Sequence, residues 1–123
     1  MRNILVIDDD IVMQVAISKI LTMEGYNVEV AVNGKEGLIK LKNKTYDLVI
    51  TDLMMPYMNG FEIISKIKQE ESSKKTYIII VSAVNNEDAV MEGFKLGADD
   101  FLKKPIMRGE LILRVKKLLT IGH

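Results

Sequence analysis

The sequence predicts an α/β domain: a five-stranded parallel sheet with helices on both faces. Three observations carry that expectation. Apolar, β-branched runs alternate with helical segments five times along the chain. The segment Thr76–Val81 is the most continuous apolar run, as a strand covered on both faces should be. Acids, a hydroxyl and amines follow the strands in one sense: Asp8 and Asp9, then Asp52, then Ser82, then Lys103 and Lys104. Right-handed crossovers would distribute the helices over both sides of the sheet.

The first strand is expected at about Asn3–Ile7. The first helix follows, with Val12, Val15, Ala16, Ile20 and Met23 on a 3.6-residue stripe expected to face inward. Asp10 is a better N-cap for this helix than a metal ligand. Gly25 stops the helix, because a left-handed residue costs glycine little. The second strand, Asn27–Ala31, is short and weak. Asn33 caps the second helix, with Glu36 placed to close a capping box, and the helix runs to about Asn43. The third strand is Asp47–Thr51. Pro56 then forces a loop, and Asn59 caps the third helix with Glu62 three residues on. Ser72-Ser73-Lys74-Lys75 reads as a polar loop before the fourth strand. The fourth helix, Glu87–Leu96, ends at Gly97. The fifth strand is Asp100–Leu102, and the fifth helix runs from about Met107 to Thr120. On that helix Leu111, Val115 and Leu118 mark the inward stripe, while Leu113 lies on nearly the opposite face.

A chain of 123 residues with 48% hydrophobic content fits one compact domain, residues 1–123. The short tail Ile121-Gly122-His123 leads to the expectation that this chain carries no output domain. Aromatics are few and Trp is absent, so an aliphatic core is expected, with the eight methionines as gap-fillers. Lys+Arg and Asp+Glu both total 17, so global charge offers no nucleic-acid footprint. The basic run Lys103, Lys104, Arg108, Arg114, Lys116, Lys117 against Glu110 reads as a solvated helix face. Disulfides and thiolate metal sites are excluded, because there is no cysteine. No apolar run approaches the ~20 residues of a membrane helix, and the N-terminus is too acidic for a signal peptide. A soluble cytoplasmic protein without direct nucleic-acid or membrane contact is expected.

In a parallel sheet the strand ends named above converge, and open α/β sheets bind ligands at that edge. Crowded carboxylates repel one another unless a proton or cation intervenes. Mg²⁺ suits such a cluster: it is hard, prefers oxygen, and uses one or two carboxylates beside a phosphate; Mn²⁺ is an alternative. An aspartate can accept a phosphoryl group as an acyl phosphate, a reaction that depends on positioning and charge neutralisation. Strand alternation sends Lys103 and Lys104 to opposite sides, and spacing leaves open which enters the mouth.

At these residues the chain resembles the CheY-like receiver domain of two-component response regulators, over essentially its whole length. Ile4-Leu5-Val6-Ile7-Asp8-Asp9-Asp10 is similar to the family's acidic first-strand motif. Asp47 to Gly60, with Asp52 and Pro56, is similar to its phosphoacceptor segment. Val81-Ser82-Ala83 and Gly97 to Pro105 match its last two signatures. The resemblance implies a flavodoxin-like doubly wound (βα)5 fold with strand order 2-1-3-4-5. It implies that Asp52 accepts a phosphoryl group from a phosphohistidine on a sensor histidine kinase or histidine phosphotransfer protein. Asp9, Asp52 and the Met54 carbonyl would ligate Mg²⁺, with Asp8 acting through a bound water. Ser82 and Lys104 would each hold a phosphoryl oxygen, which decides the lysine ambiguity. Lys104-Pro105 would carry a cis bond. Phe101 would switch rotamer with Ser82, changing the surface of helix 4, strand 5 and helix 5 toward a target protein or a phosphorylation-dependent dimer. Ile106 stands where phenylalanine is frequent, and Phe101 lacks a tyrosine hydroxyl; neither change removes a reacting group. Met54 and Val84 match the variable positions flanking the phosphoryl site, and both are apolar.

The implied activity is that of a phosphoacceptor regulatory domain acting on itself, phosphorylating from a donor and later dephosphorylating. A small aspartyl-phosphate phosphatase would need small residues where Ile11 and Val12 stand, and a cap segment. A flavin mononucleotide site would need glycines or hydroxyls after the first strand, where three aspartates repel phosphate. A module that keeps the fold without phosphorylation would not need all five active-site side chains.

Overall fold

A computed structural model describes residues 2–121. Gly122 and His123, expected to form a short tail, lie outside the described residues. The elements run β1 (Asn3–Ile7), α1 (Ile11–Met23), β2 (Asn27–Ala31), α2 (Gly34–Asn43), β3 (Leu48–Thr51), α3 (Gly60–Gln69), β4 (Tyr77–Ser82), α4 (Glu87–Leu96), β5 (Asp100–Lys103) and α5 (Arg108–Ile121). All strand pairs are parallel and the order is β2-β1-β3-β4-β5, as the resemblance implied.

Period-two alternation divides the apolar residues of each strand between two cores. Leu5, Ile7, Val49, Ile78 and Ile80 pack on one face, under Ile63, Ile64 and Ile67 of α3 and Leu41 of α2. Ile4, Val6, Leu48, Ile50, Ile79 and Val81 pack on the other, against Ile17 and Leu21 of α1 and Leu111, Val115 and Leu119 of α5. Both faces being covered explains why the strands read as continuous apolar runs. Each such isoleucine or leucine contributes about 1.5–3 kcal/mol by leaving water. No helix among the described residues is long and apolar enough to cross a membrane.

The predicted N-caps form. Asp10 accepts from the Val12 and Met13 N–H groups, and Asn33 from Glu36 N–H without the reciprocal Glu36 bond that a capping box needs; Asn59 with Glu62 closes a reciprocal box. Gly25 and Gly97 stop their helices at φ 94° and 122°, a region open to glycine at little cost. Lys104-Pro105 is cis.

Several expectations are corrected. The predicted stripe of α1 is mostly its outer face: Val12 is 76% and Val15 58% exposed, and Ala16 and Met23 are exposed as well. The buried face is Gln14, Ile17 and Leu21, with Ile20 half-buried beside them. A glutamine inside the true stripe broke its apolar pattern, and the exposed valines supplied a competing one. The core is aliphatic as expected, and methionine fills it only in part. Met55 is buried, and Met58 and Met13 pack half-buried against the two cores, whereas Met23, Met54, Met91 and Met107 face outward. On α5, Leu119 is buried where Leu118 was expected, with Leu118 half-buried at the rim; Leu113 is outward, 65% exposed. Ser73 of the polar loop is buried, its hydroxyl donating to the Ile67 carbonyl at 2.8 Å.

Strand limits move by a residue. Asp47 stands just before β3, its carboxylate accepting from Asn3 N–H. Thr76 stands just before β4, its N–H turned to the Ser73 carbonyl and its hydroxyl donating to the Tyr46 carbonyl. β4 and β5 extend to Ser82 and Lys103, which pair with each other. The basic run is less uniformly solvated than expected. Arg114 pairs with Asp100 at 3.2 Å and Lys116 with Glu24 at 3.0 Å, while Lys104 turns into the sheet edge.

Candidate functional site

Strand register builds the site. Ile7 pairs with Thr51, so the next residues, Asp8 and Asp52, leave the sheet side by side. Asp8 N–H donates to the Ala31 carbonyl and Asp52 N–H to the Ile7 carbonyl, both at 3.2 Å. Carboxylate oxygens of Asp8, Asp9 and Asp52 lie within 4.8 Å of one another. Asp8 and Asp52 are buried, whereas Asp9 is exposed at the rim.

Lys104 enters this cluster, and Lys103 does not: Lys103 is exposed. The Lys104 ammonium donates to Asp52 at 2.8 Å and to Asp8 at 3.2 Å. Its backbone N–H donates to the Ser82 carbonyl at 2.9 Å, tying β5 to β4 at the same edge. Ser82 is fully buried, and its hydroxyl accepts from Val84 N–H at 3.1 Å. Met54 is exposed, and its N–H donates to Asp52 at 3.2 Å. Phe101 is half-buried one residue before the core residue Leu102, packed against the α3–α4 side of the sheet.

Burial pushes the Asp8 carboxyl above its ordinary value, against the pull of the Asp10 N–H and the Lys104 ammonium; Asp52 pushes the same way as burial. Burial alone would lower Lys104, but its bonds to Asp52 and Asp8 outweigh it and hold the ammonium above its ordinary value. Lys104 is therefore a fixed positive charge. Three carboxylates against this one ammonium leave an excess of negative charge at a partly buried mouth. The donor set is all oxygen, with one exposed member as an entry path, which fits a hard divalent cation.

Three positioning features were not legible as site residues. The Gln14 amide, on the buried face of α1, donates to the Asp8 backbone carbonyl. The buried Thr51 hydroxyl donates to the Asp52 carbonyl at 3.0 Å. Gly60 lets α3 begin against the end of β3: a Cβ there would lie 2.4 Å from the Asp52 carbonyl oxygen. Only Gly60 had a sequence signal, its place just after a capping asparagine.

Comparison with known proteins gives the family and the fold. The sequence profile of the response regulator receiver domain matches residues 4–116. The response regulator ArlR of Staphylococcus aureus is 39% identical over 119 residues, covering 97% of this chain and 53% of ArlR. The chain thus spans about half the length of the curated relatives it matches. Among solved structures, the chemotaxis protein CheY4 of Vibrio cholerae superposes with a TM-score of 0.91 at 30% identity, covering 96% of this chain and 98% of that one. The receiver domain of the Francisella response regulator 1452 superposes with a TM-score of 0.91 at 33% identity, each chain covered in full, 100% and 100%. With the acidic edge, the half-buried Lys104 and the sheet order in place, the chain belongs to the receiver domain family of two-component response regulators.

Proposed function

We propose that this domain relays a signal by accepting a phosphoryl group on Asp52 in a Mg²⁺-dependent reaction. The observation that carries this is the convergence of Asp8, Asp9 and Asp52 with the Lys104 ammonium 2.8 Å from Asp52. Asp9, Asp52 and the Met54 carbonyl would hold the ion, with Asp8 acting through a bound water; Mn²⁺ has the same oxygen preference. When bound, the ion supplies the positive charge that lets an anionic phosphoryl group approach the carboxylates. An Asp52 carboxylate oxygen forms the new O–P bond as the P–N bond to a partner's histidine breaks and the imidazole nitrogen keeps the electron pair. Lys104, already charged and aimed at Asp52, pairs with one phosphoryl oxygen. The Ser82 hydroxyl donates to another, leaving its present acceptor role toward Val84 N–H. Hydrolysis of the acyl phosphate restores the Asp52 carboxylate and resets the domain, so the reaction regulates rather than turns over a substrate.

The donor partner is a sensor histidine kinase or a histidine phosphotransfer protein, in the cytoplasm. Inward movement of Ser82 would free space for Phe101 to change rotamer. The surface of α4, β5 and α5 is where a target protein or a second phosphorylated copy would read the change, and Met91, Phe94 and Leu113 expose apolar area there. Incubation with a small-molecule acyl phosphate and Mg²⁺, followed by intact mass, tests the core of this reading. Wild type gains one phosphoryl mass and Asp52→Asn does not. A gain retained in Asp52→Asn, or none in wild type, refutes it.

A further inference from the structure

We infer that Gln14 is a positioning residue for the metal-binding acids, acting through the backbone of Asp8. This inference rests on the proposed function above. Gln14 is 6% exposed, on a helix whose other buried side chains, Ile17 and Leu21, are apolar. A buried amide among apolar residues is costly unless bonded, and here its Nε2 donates to the Asp8 carbonyl across six residues of chain. That bond closes a ring of restraints on one turn. Asp8 N–H is held by Ala31 at 3.2 Å, the Asp8 carboxylate accepts from Asp10 N–H at 2.9 Å, and Asp10 caps α1. Gln14 restrains the Asp8 carbonyl, so the peptide joining Asp8 to Asp9 has a fixed orientation. Both carboxylates hang from that peptide, one buried and one at the rim. An amide donor rather than a methyl at position 14 therefore presets where they meet Asp52. The same bond roots α1 in the site, while Val12 and Val15 stay exposed away from that face.

The test compares wild type, Gln14→Met and Ile17→Val by thermal melting and by Mg²⁺ titration calorimetry. Methionine keeps the length and volume of glutamine but donates nothing. Loss of one net hydrogen bond at the metal's own turn should raise the Mg²⁺ dissociation constant about 3- to 10-fold. At saturating Mg²⁺, phosphorylation by an acyl phosphate should return to within about twofold of wild type, as expected when only ligand placement is impaired. Ile17→Val loosens the same helix without touching the turn, so it should lower the melting temperature and leave Mg²⁺ affinity unchanged. If Gln14→Met does not melt cooperatively, Gln14→Leu carries the same expectation. A folded Gln14 variant with wild-type Mg²⁺ affinity overturns the inference, as does equal weakening by Ile17→Val. Wild type that neither binds Mg²⁺ nor takes phosphate overturns the proposed function with it; wild type that does both, beside an unchanged variant, overturns the inference alone.

Discussion

Gly60→Ala should damage both stability and the site, although helix propensity alone favours it. Gly60 opens α3 immediately after the Asn59 cap, and alanine in a helix is up to about 1 kcal/mol better than glycine. The added Cβ, however, would sit 2.4 Å from the Asp52 carbonyl oxygen and 2.9 Å from Leu53 Cα. Ordinary contact begins near 3.4 Å, so α3 and the end of β3 must part by about 1 Å. The obstructing atoms are backbone, and the loop is pinned by Gly60 N–H to the Leu53 carbonyl at 3.0 Å and Asp52 N–H to the Ile7 carbonyl at 3.2 Å. Overpacking of this kind costs about 1–3 kcal/mol, and little of it can be relieved by a side chain swinging away. The net expectation is a loss of about 2 kcal/mol, or roughly 5–10 °C in melting temperature. Gly109→Ala is the control: it lies in the first turn of α5 with nothing within 4 Å of the new Cβ, and should gain about 0.5–1 kcal/mol. Urea denaturation of the three proteins gives the stabilities. Mass-based phosphorylation rates give the second reading: a shift of about 1 Å in Asp52 should slow phosphorylation at least about tenfold. Gly60→Ala melting at or above wild type would refute the steric argument.

Other outcomes follow from particular groups. Mg²⁺ should raise the melting temperature by binding the folded acidic cluster, and Asp9→Asn should remove most of that increment; an unchanged increment places the ion elsewhere. The buried Tyr46 hydroxyl donates to Glu29 at 2.9 Å, and burial first, then Glu29, push it up to about 12. Its folded value lies above the unfolded one near 10, so stability is intact below pH 10 and falls by about 2–3 kcal/mol as pH rises toward 12 and beyond. The stability difference between wild type and Tyr46→Phe should therefore shrink across that window, and a difference independent of pH contradicts the assignment. Tyr57 holds φ 70° while fully exposed. Asparagine tolerates that backbone better, and an exposed ring supports no packing, so Tyr57→Asn should gain about 0.5–1 kcal/mol; a lower melting temperature counts against it. Met54 and Val84 offer no polar group to orient an attacking water, so acyl phosphate loss should be slow. Met54→Asn or Val84→Glu should accelerate it, and acceleration in neither removes that reading.

Much of the fold was legible because its determinants are local. Strand type, helix caps at Asp10, Asn33 and Asn59, and stops at Gly25 and Gly97 depend on a few neighbouring residues. Errors arose where a long-range interaction outweighed a local pattern. Gln14 looks like a break in an apolar stripe until Asp8 is folded beneath it. Ser73 looks like loop polarity until the Ile67 carbonyl accepts its hydroxyl hydrogen bond. Met54, Met91 and Met107 look like core filler until isoleucine, leucine and valine have closed both sheet faces.

By itself the sequence determined that acids and a lysine would gather at one edge, since parallel strands of alternating βα units must end on the same side. It also determined, through unbroken apolar runs such as Thr76–Val81, that both faces of the sheet would be covered. Only the tertiary structure decided the orientation of α1 and the restraint on the Asp8–Asp9 peptide. Only the structure showed Lys104, and not Lys103, beside Asp52, where the family resemblance had assigned it. These are choices between adjacent residues, one apart on a strand or a helix. Sequence spacing scores such neighbours almost equally, and the packing of distant segments separates them.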